Sequence, residues 1–241
     1  LKKKYKCLII EDACHAFGAE YFYKNKKFKI GSCYHADISV FSFHPLKTIT
    51  TAEGGAVATN LSIFYRKVEL FKSHGIVRKK FHWKYDVIKS GFNYRLSDIN
   101  CALGLSQLKK IKFILTKRKE IYKKYLNQLD NYRNALTIIK PENKTQPSYH
   151  LVFLKISTNK LKINKEEILK ILLRNNICCQ VHYIPLYKFT NFYSKTSLKG
   201  AEKYYSTVFS LPIHVNLNNI SINKILRKIK EIIDTNIKKK K

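Results

Sequence analysis

The stretch FSFHPLKTITTAEGGAVATN, residues 41–60, decides the reading of this 241-residue chain. An apolar run (Ile38, Val40, Phe41) leads into it and β-type residues (Ala56, Val57, Ala58) leave it, so it reads as a turn between two strands. Gly54-Gly55 allows backbone conformations or close approaches that a side chain would block. Lys47 stands in the middle, five residues after Ser42 and just before Thr48, Thr50 and Thr51. A lysine there is either a solvated turn residue, the default for any single lysine in so basic a chain, or an amine held in a pocket. Partly desolvated and near other cations, such an amine loses its proton more easily and can attack a carbonyl carbon.

A second stretch, CLIIEDACHAFG at 7–18, bears on that choice. Its apolar start is short enough for a buried strand, and Asp12 falls at or just past the carboxyl end, where open α/β sheets bind ligands. His15 follows at a spacing that could face the same cavity. Alone, Asp12 reads most simply as a helix cap. Paired with Lys47 it forms the constellation that holds pyridoxal phosphate: a Schiff-base lysine plus an acid on the pyridinium nitrogen.

Three motifs, IIEDACHAFGA, GSCYHADISVFSFHPLKTITTAEGGAVATN and GFNYRLSDINCALGLSQL, resemble in order and spacing the DegT/DnrJ/EryC1/StrS family of sugar aminotransferases. The resemblance implies an α/β fold: the C-terminal part of the large domain of an aspartate aminotransferase-like, fold-type I pyridoxal-phosphate enzyme over 1–117, then a small α+β domain over 118–241. It implies that Lys47 is catalytic, that Asp12 meets the ring nitrogen, His15 the ring hydroxyl, and Ser42 the phosphate. Asn93 would reach the phosphate of a partner subunit's cofactor, giving a homodimer with composite sites. In QVHYIP at 180–185, His182, Tyr183 and Pro185 would line the sugar pocket. His150 matches a family position without an assigned role, and Arg95 fits helix entry or a salt bridge as well as a ligand.

The implied reaction moves an amino group from L-glutamate to a nucleotide-linked 4-keto-6-deoxy sugar. His15 and the FSFHP-K-ITT-EGG wording resemble the branch leading to pseudaminic acid. Dehydratase relatives replace the lysine with histidine, so Lys47 favours transamination. The other readings are a different nucleotide-sugar aminotransferase of the same family and an inactive remnant. The chain has no methionine and opens on what resembles the middle of the family's large domain, so an upstream segment carrying the first strands, a phosphate-gripping loop and a ring-stacking aromatic is expected.

Composition narrows the alternatives. Hydrophobic and aromatic contents of 45% and 13% belong to a globular protein, not a disordered one. No window approaches the roughly 20 apolar residues that cross a bilayer, and no signal-peptide pattern opens the chain, so a cytoplasmic protein without membrane partners is expected. Six scattered cysteines without CxxC spacing read as reduced thiols, with no metal site. The net charge of +31 suggests an anionic partner, yet only seven of the 47 basic residues are Arg, and the lysines are spread along the chain with excesses at 2–6 and 238–241. Specific nucleic-acid binding is therefore not expected, while a nucleotide sugar is itself an anion.

Periodicity predicts buried strands at 8–10 and 38–43, a hairpin over 18–30, helices over 62–73 and 113–129, and a helix capped by Ser97 with Ile99, Ala102, Leu103, Leu105 and Leu108 inward. Loops are expected at 78–84 and 131–147. The second half is expected to alternate: strands at 149–156 and 178–183, helices over 165–175, 201–208 and 222–237.

Overall fold

The computed structural model describes residues 2–238, so most of the basic tail at 238–241 lies outside the described residues. In chain order the elements are α1 (Lys2–Tyr5), β1 (Ile10–Asp12), β2 (Glu20–Tyr23), β3 (Lys26–Lys29), β4 (Ile38–Ser42), β5 (Gly55–Ala58), α2 (Ser62–Lys72), β6 (Ile76–Arg78) and β7 (Tyr85–Val87). There follow α3 (Asp98–Lys109), α4 (Ile111–Gln128), β8 (Leu136–Ile138), β9 (Thr145–Gln146), β10 (Val152–Ile156), α5 (Lys165–Arg174), α6 (Lys199–Thr207), β11 (Val208–Leu211) and α7 (Asn219–Asn236). The chain divides into two compact units, one running to Leu115 and taking in Glu142–His150, the other made of Thr116–Pro141 and the chain from Leu151 onward.

The first unit is organised on a three-stranded sheet of order β1-β4-β5. β1 and β4 are parallel with Asp12 opposite Val40, and β4 and β5 are antiparallel with Ser42 opposite Gly55. A Cβ on Gly55 would lie 2.6 Å from the Phe41 carbonyl oxygen, so only glycine lets β5 approach β4 this closely. The expectation that 8–10 is a buried strand is corrected: Leu8 and Ile10 are 59% and 64% exposed. β1 lies at the edge of the sheet, with no described strand paired beyond it. β2 and β3 form the expected hairpin, and β9 joins it through Tyr21 and Thr145.

The loop expected at 78–84 is present: apart from Arg78, the last residue of β6, it forms the tip joining β6 to β7 in an antiparallel hairpin. Ser97 caps α3 as expected, its Oγ accepting from the Asn100 N–H. The face of that helix expected to be inward is exposed, Ile99 at 83% and Leu105 at 61%. The spacing marks an apolar stripe, but no described element covers it.

The second unit has the antiparallel sheet β11-β10-β8 with α5 and α7. α5 opens on a reciprocal cap between Asn164 and Glu167, a pattern worth about 1 kcal/mol. The expected α7 stripe, Ile222, Ile225, Leu226, Ile229, Ile232 and Ile233, is buried throughout. Tyr125 is fully buried, and its hydroxyl donates to the Pro212 carbonyl at 3.0 Å. No helix among the described residues is long and apolar enough to cross a membrane.

The strand predicted at 178–183 reduces to one bridge, between Gln180 and Ser210 of β11, and the helix expected over 201–208 gives way to β11 at Val208. The two neighbouring cysteines there differ. Cys178 is exposed, whereas burial pushes the Cys179 thiol up to about 12. Only the thiolate attacks an alkylating agent, so at about pH 8.5 iodoacetamide is expected to label Cys178 roughly tenfold faster or more than Cys179. Peptide mass mapping over time checks this; equal rates would contradict it.

Candidate active site

The β4–β5 connection is a tied loop. Phe43 N–H donates to the Gly54 carbonyl at 2.8 Å, and Thr51 N–H and Thr50 Oγ1 both donate to the Phe43 carbonyl at 3.0 Å. Thr51 Oγ1 donates to the Glu53 carbonyl, which also accepts from the Asn100 side chain of α3. Ile49, Thr48 and Thr51 are buried, the Thr51 hydroxyl satisfying a backbone carbonyl that an apolar residue would leave bare. Gly54, at φ 147°, has no room for a Cβ beside Thr51 and Leu96, and a Cβ on Gly104 would fall 2.7 Å from Thr51. The two glycines let the loop and α3 close together. Lys47 projects from this loop half-buried, its backbone N–H bonded to the His44 carbonyl.

At the carboxyl end of β1, alternation sends two acids opposite ways. Glu11 is half-buried, and its Oε2 accepts from Ser39 Oγ at 2.6 Å and from Gly31 N–H at 2.9 Å, a structural tie across the sheet. Asp12 is exposed, and its Oδ1 accepts from the Cys14 N–H at 3.1 Å. Bonds from Cys14, first the thiol and then this N–H, hold the Asp12 carboxyl below its usual range, and His15 and Lys47 add attraction. Burial, with help from Asp12, raises the Cys14 thiol in turn. The charges of His15 and Lys47 thus both act on Asp12, as smaller contributions than the bonds from Cys14.

Ser42 ends β4, its Oγ facing the His44 N–H at 3.5 Å. Asn93 is exposed on another element, bridging backbone with Ser73 just after α2, while Arg95 lies 3.5 Å from His74 Nε2. In the second unit, His182 is half-buried, its Nδ1 sharing a hydrogen bond with Ser210 Oγ at 3.3 Å. Tyr183 is 62% exposed, and Pro185 is buried at the start of the 3₁₀ turn Leu186–Lys188.

Two contributors escaped the sequence reading. Cys14 passed as an ordinary thiol, although a backbone N–H two residues after a strand-end aspartate is the Asx-turn position and marks it in retrospect. Ser148 donates from its Oγ to the His15 carbonyl at 3.1 Å across 133 positions, and no local pattern signals so distant a contact.

The residues present fit pyridoxal phosphate: an acid kept ionised for a ring N–H, an amine whose charge acts on that acid, and hydroxyl and imidazole donors on adjoining loops. Fold and site together describe the architecture of a fold-type I, pyridoxal-phosphate-dependent sugar aminotransferase. The chain belongs to the DegT/DnrJ/EryC1/StrS aminotransferase family, matched over residues 1–230. It is 43% identical over 222 residues to a UDP-4-amino-4,6-dideoxy-N-acetyl-beta-L-altrosamine transaminase of Campylobacter jejuni, covering 90% of this chain and 56% of that protein. Helicobacter pylori PseC, an aminotransferase of pseudaminic acid biosynthesis, superposes with a TM-score of 0.88 at 38% identity, over 97% of this chain and 62% of that one. Streptococcus pneumoniae Spr1654, solved in its PLP-form, gives 0.84 at 25% identity, over 97% and 60%. The chain therefore spans about three fifths of the length of its relatives.

Proposed function

We propose that this chain carries the catalytic lysine and ring-nitrogen acid of a pyridoxal-phosphate-dependent aminotransferase that moves the amino group of L-glutamate to a nucleotide-linked 4-keto-6-deoxy sugar in the cytoplasm. The observation that carries the reading is the Asp12 carboxylate at the end of β1, held below its usual range with the charges of His15 and Lys47 acting on it. The C. jejuni and H. pylori relatives support the sugar assignment.

When bound, pyridoxal phosphate supplies a carbonyl that carries the amino group between the two substrates and a ring that draws electron density from the carbon losing its proton. Asp12 keeps a proton on the ring nitrogen, which sustains that withdrawal. Lys47 Nζ takes the proton from the α-carbon of glutamate and delivers one to C4 of the sugar, as general base and then general acid. The loop that carries Lys47 is fixed by its threonines, so the amine meets both carbons from one side. His15 donates to the ring hydroxyl and Ser42 to the phosphate. Asn93 serves the phosphate of a second copy's site, and the exposed apolar stripe of α3 supports a homodimer. His182, Tyr183 and Pro185 shape the sugar pocket.

The test is nitrogen transfer. The chain, supplied with pyridoxal phosphate, ¹⁵N-glutamate and a UDP-4-keto-6-deoxy-hexosamine, is expected to yield the ¹⁵N-amino sugar together with 2-oxoglutarate. Formation of either without the other, or of neither, would contradict the reading.

A further inference from the structure

The run Ser148-Tyr149-His150 is the end of the segment that belongs with the first unit although β8 before it and β10 after it belong to the second. Its anchorage begins at β9, where Thr145 and Gln146 pair with Tyr21 and Glu20. Ser148 is 2% exposed and donates from Oγ to the main-chain carbonyl of His15. Two residues later the His150 ring lies 4.5 Å from the His15 ring, tilted by 51°. Tyr149 between them has φ 50°, a left-handed conformation that a tyrosine adopts only when its surroundings impose it. The segment thus grips one residue twice, at its backbone and at its ring.

That residue is the imidazole whose charge acts on Asp12. A half-buried histidine on a loop has two side-chain torsions to lose when it meets a ligand, and a ring packed against it removes that freedom beforehand. We propose that His150 is a positioning residue: its ring sets the orientation of the His15 imidazole, with Ser148 fixing the backbone that carries it. This rests on the reading of His15 as a residue that meets the cofactor. His150 does not meet the cofactor itself; it acts through His15.

The experiment uses the full chain and the variants His150→Ala, His150→Phe and Ser148→Ala. The His15 ring signals in ¹H–¹³C spectra of the cofactor-free protein, assigned by their loss in His15→Gln, report orientation directly. Pyridoxal phosphate titrations followed by absorbance report the consequence. His150→Ala is expected to shift the His15 signals and weaken cofactor binding about three- to tenfold, the scale of one immobilised side chain. His150→Phe, which keeps a ring in place, is expected to restore affinity to near the original value even if its thermal stability falls, and Ser148→Ala to show a smaller shift and loss. Unmoved His15 signals in His150→Ala would overturn the proposal by themselves. Equal losses of affinity in the Ala and Phe variants, tracking their loss of stability, would also overturn it. An original chain that leaves pyridoxal phosphate unbound would instead defeat the underlying reading of the site, a result distinguishable because the His15 signals are measured without cofactor.

Discussion

Lys47→Ala is expected to lower turnover roughly 10⁴-fold, the upper range for removing a positioned acid/base that also holds the cofactor. The argument rests on what the side chain does and does not hold. The loop around it is closed by Phe43, Thr50, Thr51 and Gly54, and the contribution of Lys47 to that closure is its backbone N–H, which alanine keeps. Thermal melting and far-ultraviolet circular dichroism are therefore expected to match the original protein while the transfer of ¹⁵N disappears. A Lys47→Ala protein that still transaminates would remove Lys47 from the mechanism. One that unfolds would contradict the account of the loop.

Asp12→Asn is expected to have the second-largest effect, slowing transfer by about 10²-fold or more while retaining cofactor, because the ring nitrogen loses the charge that keeps it protonated. Asparagine is nearly isosteric and can still accept from the Cys14 N–H, so the turn at the strand end is preserved. The pH dependence carries the same signature. The Asp12 carboxyl is held low, chiefly by Cys14 and then by His15 and Lys47, so it ionises at lower pH in the folded protein than in the unfolded one. Its contribution is complete above the unfolded value and is lost as pH falls through the folded one. The difference between the original and Asp12→Asn proteins should therefore persist down to about pH 4 and narrow only below it. Equal rates at neutral pH would contradict the role of the acid.

The parts of the fold that were legible in the sequence are those where a local rule acts alone. α7 shows its apolar stripe, Ser97 its capping geometry, and Gly54-Gly55 the close approach of β5 to β4. Asp12 was placed at its strand end by the length of one apolar run. The misses come from contacts that are not local. β8 and β11 are three and four residues long, too short for alternation to show, and exist because β10 lies between them. The stripe of α3 was readable as apolar, but what covers it is not written in the helix. At the site, residue type and spacing were enough to propose Lys47 and Asp12, whereas the hold of Cys14 on Asp12 and of Ser148 on His15 required the chain's path in space.

The central claim is that one amine among the chain's many addresses a single carbonyl cofactor opposite Asp12. Its most direct test is to mix the protein with pyridoxal phosphate, reduce with borohydride and map the labelled peptides by mass spectrometry. A surface reaction in so basic a protein would scatter the label over the exposed lysines. The account expects the phosphopyridoxyl label to concentrate on Lys47. A label spread along the chain, or absent from Lys47, would contradict it.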